Sequence, residues 1–325
     1  MMVNQSEVKE IILIGFPGLK AEFYAPVSLV MLLIYIASLS ANGTVISLVI
    51  MKKHLRKPMY IIIANLSCSH LLYDTVTLPK IIARYWFGAT TTFPECLLQM
   101  FLIHTLGPTD SYTFMLMAID RFFAICKPLR YSSIFTSRVV AMSCGTCWVA
   151  AISTALTALV MNSQAPPCGY NKINTIMCTN IAVTALACKD VSVIKKTTFV
   201  FSMFIQFVPL SFILLSYITI INIIRLSASN GTWRKAFYTC ATHLFAMTAH
   251  YAPRLFVFLA NEFSLVFNAD LSVFVLCVYS YVPHICNPII YFFRNKDIKQ
   301  TFMSSVIRFM SFKVKKDVMI KTITE

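Results

Sequence analysis

Glycine is scarce in this chain: eight residues in 325 leave little material for a phosphate-cradling loop. HExxH, GxSxG, a Walker loop and paired CxxC motifs are all absent, which excludes the common metalloprotease, hydrolase, nucleotide-binding and zinc-ribbon constellations. No catalytic residue, metal ligand or cofactor is assigned, and an enzyme is not expected. Charge is scarce as well. Only 13% of residues are charged, where a soluble chain carries about a quarter. Acids are the rarer sign, with 13 Asp and Glu against 28 Lys and Arg. Residues 1–23 mix charge with short apolar runs, so no cleavable signal peptide is expected. Repeats of the transporter kind are also missing.

What is abundant is apolar length. Apolar residues make up 58% of the chain, and they gather into segments each able to cross a bilayer. Seven spans are read at roughly 24–51, 58–84, 95–122, 138–162, 192–224, 234–261 and 270–293. The length alone would suggest about two soluble domains. The hydropathy replaces that with an all-α membrane protein: an N-terminus (1–23), one seven-helix transmembrane bundle (24–293) and a tail (294–325). The net charge of +15 is a topology signal. The connections 52–57, 123–137 and 225–233, the span ends beside them and the tail hold 19 of the 28 Lys and Arg. Short basic loops are cytoplasmic, which puts the N-terminus outside and the C-terminus inside, facing anionic lipid. Nucleic acid is not an expected partner. Asn4 opens a glycosylation sequon on the outer side, while the sequons at Asn42, Asn65 and Asn230 fall in spans or on the inner side.

Polar residues inside the spans are few and therefore informative. Asn42 breaks span 1 at mid-depth and reads as interhelical glue. His70 and Asp74 in span 2 are four apart and share a face, so they can satisfy one another. Span 3 carries His104, Asp110 and, at its end, Asp120-Arg121 followed by the basic run Lys127-Pro128-Leu129-Arg130. Span 4 has small residues and Trp148, suited to close packing. The segment 163–191 is the longest outer loop. Its Cys168, Cys178 and Cys188 join Cys96 to make four outer cysteines of eleven, which implies two disulfides with three possible pairings. Span 6 holds Pro253-Arg254, span 7 holds Pro288, and 296–312 reads as an amphipathic helix on the inner leaflet. Ile11 to Leu19, IILIGFPGL, is too short to span and is expected to drape over the mouth of the bundle.

Several stretches match one family together. MAIDRFFAICKPLRY (Met117 to Tyr131) resembles the olfactory-receptor signature at the end of the third helix. PMYIIIANLS, SYITII, KAFYTCATHL and NPIIYFFRN resemble the signatures of helices 2, 5, 6 and 7, in order and in register along nearly the whole chain. IILIGFPGL and the cysteine-rich loop look like the fish-type, or class I, branch. The resemblance implies a class A (rhodopsin-like) receptor on the plasma membrane of olfactory sensory neuron cilia. Its ligand would be a small-molecule odorant, and its partner a heterotrimeric G protein of the stimulatory type that raises cyclic AMP. It also implies Cys96–Cys178 and Cys168–Cys188 as the disulfides.

Carried onto this sequence, the family pattern makes Arg121 the switch. Asp120 neutralises it at rest, Tyr217 and Tyr291 are its partners on activation, and Lys235, Asn287 and Pro288 complete the coupling set. Phe122 stands where the family more often has tyrosine. The ligand set expected from helix register is His104, Thr105, Pro108, Ser202, Gln206, Tyr251, Arg254, Phe258, Cys277, Ser280 and Tyr281. Arg254 has no acid one turn away on its own helix. Either an acid on another helix or an anionic ligand completes the pair, and a small organic anion is the hypothesis. The family's helix 2 aspartate falls at His70. With Asp110, Asn42, His284 and Asn287 nearby, a sodium site is expected to be weakened or absent and replaced by a His70–Asp110 contact, unless Asp74 captures His70. A non-olfactory class A receptor for another small molecule, lipid or peptide is the alternative within receptors. A seven-span channel or transporter is the alternative outside them.

Overall fold

In hydrocarbon, a backbone must satisfy its own hydrogen bonds, and polar side chains must find one another inside a bundle. The computed structural model follows that rule. It describes residues 10–227, 244–256, 259, 268–305 and 307. In chain order the helices are α1 (Tyr24–Met51), α2 (Pro58–Phe87), α3 (Phe93–Cys126), α4 (Pro128–Ile134), α5 (Ser137–Ser163), α6 (Asn180–Thr184), α7 (Ser192–Ser227), α8 (residues 244–256), α9 (Ala269–Arg294) and α10 (residues 296–305). Helices α1, α2, α5, α7 and α9 are long and apolar enough to cross a membrane. Helix α3, with 34 residues, packs among α2, α5 and α7 and carries the charged groups that lower its apolarity.

The distribution of polarity is inside-out. Leu33, Val149, Leu156, Phe204 and Leu215 are half or more exposed, whereas Ser69, His70, Thr77, Asp110 and Thr113 are buried. Such a surface suits lipid, and such an interior needs internal partners. Asn42 supplies one, its Nδ2 donating to the His284 carbonyl of α9 at 3.0 Å. Trp148 of α5 donates to Asn65 Oδ1 of α2 at 2.9 Å.

Helix ends follow local chemistry. Helix α2 starts on Pro58 and stops at Gly88, whose φ of 67° is a left-handed cap that favours glycine. Thr92 and Glu95 form a capping box at the start of α3, satisfying backbone N–H groups that the first turn leaves open. Helices α2 and α3 overrun their expected ends at 84 and 122. Within the expected span 234–261, residues 244–256 are helical, and 234–243, 257, 258, 260 and 261 lie outside the described residues. Two short helices, α4 and α6, were not foreseen because seven and five residues give too little periodicity to read.

One end of the bundle is roofed by the segment between α5 and α7. Cys178 is disulfide-bonded to Cys96 at the start of α3, and Cys168 to Cys188 within the segment. Residues Ile12–Leu13 (β1) pair in parallel with Lys172–Ile173 (β2) in that segment, and Ile11 bridges to Thr91. Phe16 N donates to the Tyr85 hydroxyl at 3.1 Å, and Gly18 N to Asp270 Oδ1 at 2.9 Å. A Cβ at Gly15 would collide with the same Tyr85 hydroxyl, and its φ of 76° is left-handed. The stretch expected to drape over the mouth is therefore hydrogen-bonded across it. At the far end, α10 buries Ile298 and sets Phe302 against Phe292 with centroids 5.2 Å apart. Lys57 lies 3.6 Å from Asp297, tying α10 to the start of α2.

Candidate functional site

Beneath the roof lies a cavity of about 1240 Å³ between α3, α7, α8, α9 and the α5–α7 segment. Its walls are mostly apolar, with a few polar groups converging, as small-molecule sites require. Of the expected ligand set, His104, Pro108, Ser202, Gln206 and Arg254 line it. Thr105, Tyr251, Cys277, Ser280 and Tyr281 do not. Thr105 bonds back to the Phe101 carbonyl and Tyr251 to that of Ser111, while Ser280 pairs with Tyr73 and Tyr281 with Thr77. Cys277 packs against the buried cluster of the loop end. Phe258 lies outside the described residues. Helix register shows which face turns inward, but not whether the side chain meets open space or another helix.

The residues that sequence reasoning missed come largely from the roof. Lys172, Asn174, Thr179 and Asn180 line the cavity, with Lys195 and Lys196 at the start of α7. Asn180 N donates to His104 Nε2 at 3.3 Å, and Cys178 N to Gln99 Oε1 at 2.9 Å, so the roof is pinned to α3 beside the disulfide. The segment that holds Lys172 to Asn180 carries no helical periodicity to read, and Cys178 was the one marker of its position used.

Arg254 is the central cation of the cavity. It contacts His250 Nε2 at 3.2 Å and lies 5.6 Å over the Tyr279 ring. Among the described residues no carboxylate comes within 4.0 Å of it, and no Asp or Glu lines the cavity. The expected acid on another helix is not found among them.

Below the cavity sits a second polar group of opposite make-up. Asp74 accepts from the Ser38 hydroxyl, and its Oδ1 lies 2.7 Å from His284 Nδ1. His70 Nε2 and His284 Nε2 each lie 3.8 Å from Asp110 Oδ2, and the two rings stack with centroids 4.2 Å apart. His70 and Asp110 are thus neighbours. Asp74 does not capture His70, because its carboxylate turns to α1 and α9. Sequence spacing within α2 could not show that choice. Asn287 is buried one turn beyond His284.

At the far end, Arg121 Nε lies 3.7 Å from Asp120 Oδ2. Asp120 Oδ1 also accepts from Tyr131 of α4 at 2.8 Å. Burial and the Asp120 carboxylate push the Tyr131 phenol above its ordinary value, so it remains a donor. Tyr131 is a partner that the sequence did not supply. Tyr217 and Tyr291 are buried in the same apolar cluster, and Tyr291 lies 3.7 Å from Met117 Sδ. Pro288 is inside α9. Lys235 and Asn4 lie outside the described residues.

Comparison with known proteins places this geometry. A profile of the olfactory receptor family matches residues 31–310. The chain is 35% identical over 302 residues to Olfactory receptor 6N1 of Homo sapiens, covering 91% of this chain and 95% of that one. Olfactory receptor 2AT4 of Homo sapiens is 32% identical over 292 residues, covering 88% and 89%. Olfactory receptor 226 of Rattus norvegicus is 32% identical over 302 residues, covering 91% of each.

Proposed function

The chain belongs to the olfactory receptor family, and on that premise we propose that the odorants it answers to are small organic anions. Membership makes it a seven-helix, multi-pass plasma-membrane receptor for an odorant, coupled to a heterotrimeric G protein, and not an enzyme. The observation that carries the anion reading is Arg254, a cation facing a cavity whose lining, among the described residues, holds Lys172, Lys195 and Lys196 but no carboxylate. A cation away from water is costly unless it is paired, and a planar guanidinium matches a carboxylate or sulfonate through two parallel hydrogen bonds. Of the two acids near the mouth that would repel such a ligand, Asp270 accepts from Gly18 N and does not line the cavity, and Glu262 lies outside the described residues.

The roofed end faces outward in this reading, with Asn4 glycosylated there, and the basic connections and tail face the cytoplasm and its anionic lipids. Binding under the roof shifts α8 and frees Arg121 from Asp120, to be met by Tyr217, Tyr291 and the G protein. The stimulatory type, raising cyclic AMP in sensory cilia, is the coupling we infer. Lys235, Asn287 and Pro288 belong to that coupling end.

The test uses cells expressing the full-length receptor, with cyclic AMP read against paired acids and their neutral alcohols or esters. A hydrogen bond to a charged group is worth about 1.5–3 kcal/mol, roughly ten- to 150-fold in affinity. Arg254→Gln is expected to weaken the acids by that factor while neutral analogues move by no more than about threefold. Equal losses for both would overturn the anion reading.

A further inference from the structure

The polar group below the cavity has donors left over. His70 of α2, Asp110 of α3 and His284 of α9 are each no more than 2% exposed. Their ligating atoms lie within 4.8 Å of one another. Both ring nitrogens of His70 and both carboxylate oxygens of Asp110 lack a hydrogen-bond partner. A separation of 3.8 Å from each histidine to Asp110 is too long for a hydrogen bond. The adjacent Ser69 hydroxyl donates to the Leu106 carbonyl instead. We propose that His70, Asp110 and His284 are the protein ligands of a divalent transition-metal ion, with Asp74 orienting His284 for the purpose.

Three physical arguments converge. The first is reach. Zinc holds nitrogen and oxygen donors at about 2.0–2.1 Å in a tetrahedron, so its donors sit roughly 3.3–3.5 Å apart. The two histidine–Asp110 separations of 3.8 Å need to close by only a few tenths of an ångström, whereas the imidazoles, stacked with centroids 4.2 Å apart, must rotate out of their stack for both lone pairs to meet one ion. The second is orientation. A metal-binding histidine commonly donates its other ring N–H to a carboxylate, which fixes the tautomer. Asp74 is placed to accept in this way from His284 Nδ1, 2.7 Å away, and also accepts from the Ser38 hydroxyl. The lone pair is then on His284 Nε2, which lies 3.8 Å from Asp110 Oδ2. The third is charge. Two carboxylates meet here in the bundle interior, and Arg254 is occupied with His250 and Tyr279. A divalent ion balances both carboxylates while the imidazoles stay neutral.

Donor chemistry sets the class of ion. Two imidazoles and one carboxylate suit zinc, copper or nickel, whereas sodium, magnesium and calcium are served by oxygen-only sets. Three protein ligands leave the fourth position to water. Tyr73 lines the cavity, and its ring stands edge-on to His284 with centroids 5.2 Å apart, so the site lies directly under the cavity floor. An ion there ties α2, α3 and α9 together at mid-depth.

The experiment takes the full-length receptor, purified in lipid nanodiscs, and titrates it with zinc and with cobalt as a spectroscopic stand-in. The expected result is one equivalent bound, a thermal midpoint raised by zinc and restored by chelator, and no such rise with sodium or magnesium. Bound cobalt should show visible bands of tetrahedral nitrogen–oxygen ligation without a thiolate charge-transfer band. His284→Asn and Asp110→Asn should abolish binding, and Asp74→Asn should weaken it by about ten- to a hundredfold. Absence of binding by the unaltered receptor would overturn the proposal. So would a thiolate band, or binding that survives His284→Asn. Should either ligand variant fail to fold, the cobalt spectrum of the unaltered receptor decides alone.

Discussion

The two polar regions of this bundle carry opposite imbalances. Among the described residues the cavity under the roof gathers Arg254, Lys172, Lys195 and Lys196 and no carboxylate, whereas the cluster below it gathers Asp74 and Asp110 among histidines. Only a few residues along α3 separate Gly107, near the Arg254 guanidinium, from Asp110. The chain could have paired the two signs and does not do so among the described residues. Arg254 turns to an imidazole and a ring face, and Asp74 turns to His284 and Ser38. The two regions therefore differ in sign and in access. The upper one is basic and opens to a large cavity; the lower one holds two carboxyl groups among buried imidazoles.

This contrast can be broken by substitution. The largest effect is expected at His284→Asn, which strands the Asp74 carboxylate in the interior. Removing one member of a buried pair costs about 3–5 kcal/mol, to be read as a lowered thermal midpoint and reduced surface expression. Asp74→Asn removes the charge but keeps an acceptor for His284, so a smaller loss of about 1.5–3 kcal/mol is expected in the same assay. Arg254→Gln should change the stability of the ligand-free receptor by no more than about 1 kcal/mol, since no carboxylate is left behind. A loss as large as that of His284→Asn would mean that the two regions are not different in kind. Lys195→Ala should weaken acidic odorants by the least, about 0–1 kcal/mol, and the effect should fade at high salt, as exposed charges do.

Much of the fold was legible because hydrocarbon leaves few choices. The expected spans 24–51 and 138–162 correspond to Tyr24–Met51 and Ser137–Ser163, and the disulfides implied by the family pattern are those formed. The interior was less legible, for identifiable reasons. Asp74 is four residues from His70 on one helix, yet its partner is 210 positions away on α9, and helical spacing says nothing about the rotation of one helix against another. Ser280 and Tyr281 were expected in the cavity because their helix face turns inward, but they meet Tyr73 and Thr77 of α2 first. Lys172 and Asn180 were overlooked as cavity residues because a roof built from an irregular loop has no period to follow. Tyr131 was quoted within a signature and given no role, although its hydroxyl reaches Asp120 across the α3–α4 turn.

The pairing of Ile12–Leu13 with Lys172–Ile173 also bears on how the receptor is made. The two strands are 160 positions apart and run parallel. At about 5–20 residues per second, the ribosome supplies the second strand on the order of ten to thirty seconds after the first. Throughout that interval the first strand's backbone must wait for its partner while four membrane helices are laid down. A receptor halted before residue 173 can hold its first residues only through Thr91 and Tyr85, and the Gly18–Asp270 bond closes later still, so the roof is knitted to the early chain in stages.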